Sequence, residues 1–272
     1  MRKTCLLLLL VILLSSFKYS QACTIFSINL NGKVLVGNNE DFWYSVDASM
    51  WFVPASKQSY GRVLFGWDKF AQGGMNDKGL FFDAAATPIS KMPVFPDKPT
   101  FKGNIGEEVL AKCSTVEQAI KLIESYNIPY QINGHLMFVD SKGDSAIVEW
   151  VNSEVKIIKK EGSYQITTNF LLSKPELGSF PCLRYNKVEQ TLKQKKEVSS
   201  NDISSILSTV TQYGETDGRK GGTLYSNIYD LNNLEVVIFY KRDFNNPIKV
   251  NLEKELQKGK HFIKLQKLFN TK

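Results

Sequence analysis

The chain has 272 residues, and 34 Lys+Arg against 27 Asp+Glu give it a formal net charge of +7. Three of those bases lie in the first 22 residues, which leaves 31 bases against 27 acids and a net charge of +4 for the remainder. So small an excess excludes a nucleic-acid-binding role, and no break in composition divides the chain into separate domains.

Residues 1–22 have the features of a cleaved export signal. Arg2 and Lys3 form a positive start, residues 6–14 form an apolar run, and small residues precede the expected cleavage point. The apolar run is shorter than the roughly 20 residues that a membrane-spanning helix needs. We therefore expect a periplasmic or secreted protein with no membrane span, whose residues 23–272 form a single catalytic domain.

Cys23 would become the first residue of the mature chain. Its thiol is a nucleophile, and cleavage would give the same residue a free α-amine that can act as a base. Two alternatives stay open: a lipoprotein whose Cys23 is acylated, and a protein that keeps the fold without catalysis. Ser20 and Gln21 fit the usual lipoprotein signal poorly.

The chain after Cys23 predicts a β-hairpin, because residues 24–30 are rich in β-branched and aromatic side chains and Asn31-Gly32 is a hairpin turn signal. Strands are also predicted at residues 34–36, 79–85, 135–140, 146–151, 155–159, 163–168, 223–230 and 235–240. Helices are predicted at residues 106–112, 184–196 and 202–212, with another that begins at a capping box of Ser114 and Glu117. This order predicts an α+β fold of antiparallel sheets covered by helices.

Three cysteines remain once Cys5 leaves with the signal, and an odd number in an exported protein indicates one free thiol. Cys113 and Cys182 form either a disulfide or two buried structural thiols. In both cases Cys23 is the cysteine available for chemistry.

Asp41 follows Cys23 by eighteen residues, across the predicted hairpin. Since a hairpin returns to its start, the far strand can place this carboxylate beside Cys23, where it would bind the ammonium form of the terminal amine. The alternative is an ordinary turn residue.

Four segments, in order, resemble the N-terminal nucleophile hydrolases of the choloylglycine hydrolase, penicillin V acylase and isopenicillin N acyltransferase group. They are Cys23-Thr24 with the G-x-N-x-D-F string of residues 37–42, the GMNDKGL string of residues 74–80, Thr168-Asn169, and the T-x-Y-S string of residues 223–226. The resemblance implies a four-layer αββα sandwich of two antiparallel sheets flanked by helices.

The resemblance also implies roles for individual residues. Cys23 would be the nucleophile, Asp41 the partner of its amine, Asn169 a side-chain donor to the oxyanion, and Arg184 an active-site arginine at a helix start. The reaction implied is cleavage of a small linear amide through a thioester, with transfer of the acyl group to another amine as an alternative to hydrolysis.

Two positions depart from the bile-salt hydrolases of that group. Asn38 replaces an arginine close to their thiol, which makes bile salts less favoured substrates here. A second oxyanion asparagine falls near Ala86 or Thr87, and we expect a backbone N–H to serve there instead. The chemistry needs no histidine, and neither His135 nor His261 has a second ligand at metal spacing, so we predict no metal or cofactor.

The aromatic residues that follow Asp41 have two interpretations, an acyl pocket or core. They are Phe42, Trp43, Tyr44, Trp51 and Phe52. Ligand pockets are mostly apolar, so the first interpretation suits a small acyl group.

Overall fold

A computed structural model describes residues 23–131 and 133–270, and the predicted signal at residues 1–22 lies outside the described residues. The strands are β1 (Thr24–Leu30), β2 (Lys33–Trp43), β3 (Ser49–Val53), β4 (Arg62–Trp67), β5 (Phe70–Asn76), β6 (Phe81–Ala86), β7 (Gly134–Val139), β8 (Ser145–Val151), β9 (Glu154–Lys159), β10 (Tyr164–Thr167), β11 (Tyr213–Thr216), β12 (Arg219–Asp230), β13 (Glu235–Tyr240), β14 (Asp243–Asn251) and β15 (His261–Lys264). The helices are α1 (Ile105–Lys112), α2 (Val116–Glu124), α3 (Leu183–Leu192), α4 (Ser200–Thr209), α5 (Leu252–Leu256) and α6 (Leu265–Asn270), with a 3₁₀ turn at Pro175–Leu177.

The strands form two antiparallel sheets. The first has the order β10-β1-β2-β12-β13-β14, with β11 paired to β12, and the second has the order β15-β3-β4-β5-β6-β7-β8-β9. The predicted α+β class with antiparallel sheets is therefore confirmed.

Three apolar layers hold the sheets and helices together. Side chains such as Ile25 and Phe65 fill the space between the sheets. A second layer, with Phe82 and Val109, joins α1 and α2 to the second sheet, and a third, with Phe26 and Ile203, joins α3 and α4 to the first sheet. Burial of these three layers produces the four-layer αββα sandwich that the resemblance implied.

The predicted hairpin is β1 and β2, but β2 continues to Trp43, well past the predicted end at residue 36. Its polar string from Asn38 to Asp41 thus lies inside a strand. Gly37 is required there because a Cβ would lie 2.6 Å from the Phe26 ring and 2.8 Å from Ile203. The hairpin consequently packs closely under α4, which holds its polar end in a fixed position.

The other strand predictions correspond to observed strands, whereas β3, β4, β5, β11, β14 and β15 were not predicted. Glycine explains the omission of β5, because Gly73 and Gly74 weaken its strand pattern. A Cβ at either position would run into the neighbouring strands, at Asp83 and Val63 respectively. Close strand packing, which a single sequence does not reveal, requires glycine at these places.

Two predictions about helix ends are wrong. The cap of α2 is Thr115, whose hydroxyl accepts from the Gln118 N–H at 3.2 Å, so the predicted Ser114 and Glu117 box is displaced by one residue. Ser114 instead donates to the Gln118 side chain. The helices predicted at 184–196 and 202–212 end earlier, at Leu192 and Thr209.

The GMNDKGL string has a structural role. The Asn76 side chain donates to the carbonyls of Leu110 and Cys113, each at 2.8 Å, and accepts from the N–H groups of Lys78 and Leu80. One buried amide thereby fixes the β5–β6 turn to the end of α1. This motif positions the second sheet and contributes no group to the region around Cys23.

The cysteine alternatives are settled against a disulfide. Cys113 and Cys182 are both free thiols. They lie in opposite outer layers, since Cys113 ends α1 and Cys182 precedes α3. Burial raises the pKa of Cys113 to about 11, as expected for an unreactive structural thiol. No helix within residues 23–131 and 133–270 has the length and apolar character to span a bilayer.

Candidate active site

Cys23 lies at the start of β1, in the layer between the two sheets, and is 4% exposed. Its thiol donates to the Glu40 carboxylate, with 3.4 Å between Sγ and Oε1. The hairpin register explains this contact: Thr24 pairs with Asn39, so the residue before Thr24 lies opposite Glu40. Glu40 was not among the predicted site residues, although extending the register of the predicted hairpin by one residue would have identified it.

Asp41 lies next along β2, where strand alternation turns its side chain to the opposite face from Glu40. Its Oδ1 accepts from the Thr223 hydroxyl at 2.6 Å, and its Oδ2 has no hydrogen-bond partner among the described residues. Its backbone N–H donates to the Cys23 sulfur. A buried carboxylate oxygen without a donor, next to the first residue of the predicted mature chain, is suited to bind an ammonium group.

Arg184 joins three of the predicted residues. It is the second residue of α3, and its Nη1 donates to the Cys23 carbonyl at 2.7 Å and to the Thr24 hydroxyl at 2.5 Å. Its Nη2 donates to the Asn169 Oδ1 at 2.9 Å. The planar guanidinium fork thus holds the nucleophile's backbone and the predicted oxyanion donor in one fixed arrangement.

Asn169 follows β10 and is held from two sides. Besides the bond from Arg184, its Nδ2 donates to the Ala86 carbonyl at 2.9 Å. The expectation that Thr87 supplies a second N–H is wrong, because that N–H already donates to the Asn133 carbonyl at 2.9 Å. The Ala86 segment therefore contributes a carbonyl that orients Asn169 to this part of the site.

The T-x-Y-S string on β12 supports the polar end of β2. Besides the Thr223 bond to Asp41, the Ser226 hydroxyl donates to the Asn39 Oδ1 at 2.7 Å. Both pairs are direct cross-strand partners in the sheet register. Two of the motifs noticed separately in the sequence are therefore one structural unit.

Three buried carboxylates, Glu40, Asp41 and Asp83, dominate the electrostatics around the thiol. Burial, together with their charges, raises the pKa of Cys23 well above its usual value. Burial also raises the pKa of Glu40 to about 8 and that of Asp41 to about 7, the latter in spite of the Arg184 charge and the Thr223 bond. Asp83, which accepts from the Asn38 amide at 2.5 Å, has its pKa raised by burial and by Glu40.

Comparison with known sequences gives a direct assignment. The sequence model of the acyl-coenzyme A:6-aminopenicillanic acid acyl-transferase family matches residues 29–243. The chain belongs to this family. Penicillin V acylase of Pectobacterium atrosepticum is 30% identical over 112 residues, which make up 35% of this chain and 29% of that protein. The match thus spans less than a third of that relative's length.

Solved structures share the fold over most of the chain. The conjugated bile acid hydrolase of Clostridium perfringens superposes with a TM-score of 0.72 at 18% identity, covering 89% of this chain and 96% of that one. Penicillin V acylase of Agrobacterium tumefaciens gives 0.68 at 20% identity, covering 85% and 87%. The fold of this acyl-transferase family member is accordingly the N-terminal nucleophile hydrolase sandwich.

A buried ion-pair network supports the loop that carries Asn169 in this family member. The His135 Nδ1 lies 3.1 Å from the Glu149 Oε1 and its Nε2 lies 2.8 Å from the Thr168 carbonyl. Glu149 in turn accepts from the N–H groups of Leu172 and Ser173 at 2.7 and 3.0 Å. Sequence reasoning treated His135 only as a rejected metal ligand, because its partners come from distant strands.

The predicted aromatic pocket is only partly an open site. Phe52 is core, since it is fully buried between the sheets. The largest cavity, about 730 Å³, lies near β3 and β15 and is lined by Trp51, Trp67 and Phe262 among others. None of the four predicted site residues lines it, so this cavity is separate from Cys23.

Proposed function

We propose that this family member is an exported N-terminal nucleophile hydrolase that cleaves a small linear amide, a C–N bond other than a peptide bond, through a thioester on Cys23. Acyl transfer to a second amine would use the same thioester. Removal of residues 1–22 would expose the Cys23 α-amine beside Asp41, so the uncleaved chain would be an inactive precursor.

One observation carries the proposal: the Arg184 guanidinium bonds both the Cys23 carbonyl and the Asn169 side chain. A nucleophile and an oxyanion donor have to keep a fixed relation to each other for a tetrahedral intermediate to be stabilised. A protein that needed neither would gain little from a buried arginine that holds the two together.

The proposed reaction has two stages. The Cys23 sulfur attacks the amide carbon while the proton of the thiol leaves, and Asn169 donates to the oxyanion. Collapse of the intermediate releases the amine and leaves the acyl group on sulfur, from which water or another amine takes it. The α-amine is the proton acceptor that the sequence predicts, and Asp41 would bind its ammonium form.

The substrate class follows from the groups around the thiol and from the relatives. The relatives' names specify penicillin V and conjugated bile acid. This chain has Asn38 where bile-salt hydrolases have arginine. We therefore favour N-acyl amino acids, acylated amines or penicillin side chains over bile salts.

The lipoprotein alternative is disfavoured by burial. The Cys23 side chain is enclosed between the two sheets and already bonded to Glu40. A thiol carrying a diacylglycerol would have to leave that layer to reach a membrane, and the hairpin start would leave with it.

The test is the intact mass of the purified mature protein before and after treatment with a thiol electrophile. We expect a chain that begins at an unmodified Cys23 and gains one adduct there, whereas the Cys23→Ala variant gains none at its N-terminus. Cys113, buried with a raised pKa, is the internal control and should label far more slowly. A lipid mass on Cys23, or preferential labelling elsewhere, would contradict the proposal.

A further inference from the structure

The thiol of Cys23 has a carboxylate as its hydrogen-bond acceptor, and nothing in the reaction above uses it. Glu40 Oε1 lies 3.4 Å from the sulfur, the residue is buried, and its Oε2 has no partner within the described part of the chain. We propose that Glu40 is a catalytic residue that takes the proton of the Cys23 thiol during attack and returns it to the departing amine. This inference rests on the proposed function and assigns its proton acceptor.

The surroundings of the sulfur require such a group. The side-chain charges that act on it are those of Glu40, Asp41 and Asp83, all negative, and with burial they oppose a resting thiolate. Arg184 reaches the carbonyl of Cys23 and not its sulfur. The proton therefore has to leave as the new bond forms, and it needs an acceptor already in contact with the thiol.

Glu40 is better placed for this than Asp41. Alternation along β2 puts Glu40 on the same inter-sheet face as Cys23, while the Asp41 carboxylate faces the other way and is bonded to Thr223. Glu40 also has a suitable proton affinity. Burial raises its pKa to about 8, with the Asp41 charge adding to the rise and hydrogen bonds from Cys23 and Asn38 opposing it. A general base works best when its pKa lies near the working pH.

Each stage of the step balances. The thiol proton moves to Glu40 Oε1, the sulfur electron pair forms the S–C bond, and the carbonyl π pair moves to the oxygen that Asn169 holds. When the C–N bond breaks, its electron pair stays on nitrogen and takes the proton back from Glu40. Asp41 keeps the α-ammonium throughout, so the amine acts as a fixed cation and Glu40 carries the proton.

The titration of Glu40 depends on the groups around it from each neighbouring strand. These are Cys23 on β1, Asp41 on β2, Asp83 on β6 and Tyr225 on β12. Because Cys23 and Glu40 share a hydrogen bond, the reactive form is the pair that holds one proton between them. This form is populated as the pH rises through the Glu40 pKa of about 8.

The test is the rate at which iodoacetamide alkylates Cys23 across pH in the wild-type mature protein and in two variants, Glu40→Gln and Asp83→Asn. Glutamine keeps the hydrogen-bond acceptor but cannot take a proton. We expect Glu40→Gln to alkylate at least about tenfold more slowly at neutral pH. Asp83→Asn, the matched control, also removes a negative charge near the thiol and should be no slower than wild type.

The sign of the change decides the matter. If Glu40 acted only as a nearby charge, its removal would lower the thiol pKa and speed alkylation, as for Asp83→Asn. A Glu40→Gln rate equal to or above wild type would overturn the inference.

Should Glu40→Gln not fold, the wild-type profile is a second criterion. A rate with a midpoint near pH 8 supports the inference, and one still rising above about pH 9 contradicts it. Amide turnover is not needed, so a wild-type Cys23 that never labels would instead refute the proposed function.

Discussion

Replacing Asn169 with alanine is expected to slow amide turnover by about 10²- to 10³-fold, a loss of about 2.7 to 4 kcal/mol of transition-state stabilisation. The side chain is pre-oriented, because Arg184 and the Ala86 carbonyl hold it from two sides. It therefore needs no rearrangement when charge develops on the substrate oxygen. Since the bond forms only in the transition state, kcat and kcat/KM should fall together while KM stays close to wild type.

Asn29→Ala is the matched control for this prediction. Asn29 lies at the far end of β1 from Cys23, where its side chain donates to the Lys142 carbonyl at 3.3 Å. Its turnover should stay within about twofold of wild type, as for most substitutions away from a site. An Asn169→Ala enzyme as active as this control would show that Asn169 does not hold the oxyanion.

Replacing Glu149 with alanine is expected to lower the free energy of unfolding by about 3 to 5 kcal/mol, the usual cost of removing one partner of a buried ion pair. Both side chains of the His135 and Glu149 pair are fully buried. Alanine would also leave the N–H groups of Leu172 and Ser173 without acceptors. Urea unfolding at neutral pH measures the loss directly.

The pH dependence of stability tests the same pair. Burial opposes ionisation of Glu149, but hydrogen bonds from His135 and Ser173 outweigh it and hold its pKa below the usual value. A lowered carboxyl pKa stabilises the folded protein above the unfolded value of about 4.3, and this contribution is lost as the pH falls through the folded value. The stability difference between wild type and Glu149→Ala should therefore shrink in acid.

Glu154→Ala is the control for this second prediction. Glu154 lies nearby at the start of β9 but is exposed, and its ion pair with Lys156 is a surface one. Surface pairs contribute little to stability, so this variant should unfold close to wild type. If Glu149→Ala did the same, the buried pair would not be what holds the Asn169 loop.

Local signals predicted the nucleophile's setting. The turn at Asn31-Gly32 defines the hairpin, and both residues adopt the positive φ angles, 54° and 78°, that such a turn needs. From that hairpin and the family motifs, Cys23, Asp41, Asn169 and Arg184 could be named. The structure brings Cys23, Asn169 and Arg184 into one hydrogen-bonded arrangement, with Asp41 reaching the sulfur through its N–H.

What could not be predicted depends on contacts between distant segments. His135 and Glu149 meet across β7 and β8 and act on a loop after β10, and no local pattern shows this. Glu40 was missed for a different reason: a polar string was taken as the end of a strand, although β2 continues through it. Buried polar residues inside a strand contradict ordinary propensity, and here they coincide with the proposed catalytic site.

The most direct test of the central claim is the mass of the enzyme during turnover. Wild-type protein mixed with an amide substrate and quenched in acid should carry the acyl group on the peptide that begins at Cys23, and hydroxylamine should remove it as it does a thioester. Turnover with no such adduct, and with equal activity in Cys23→Ala, would contradict a nucleophilic Cys23.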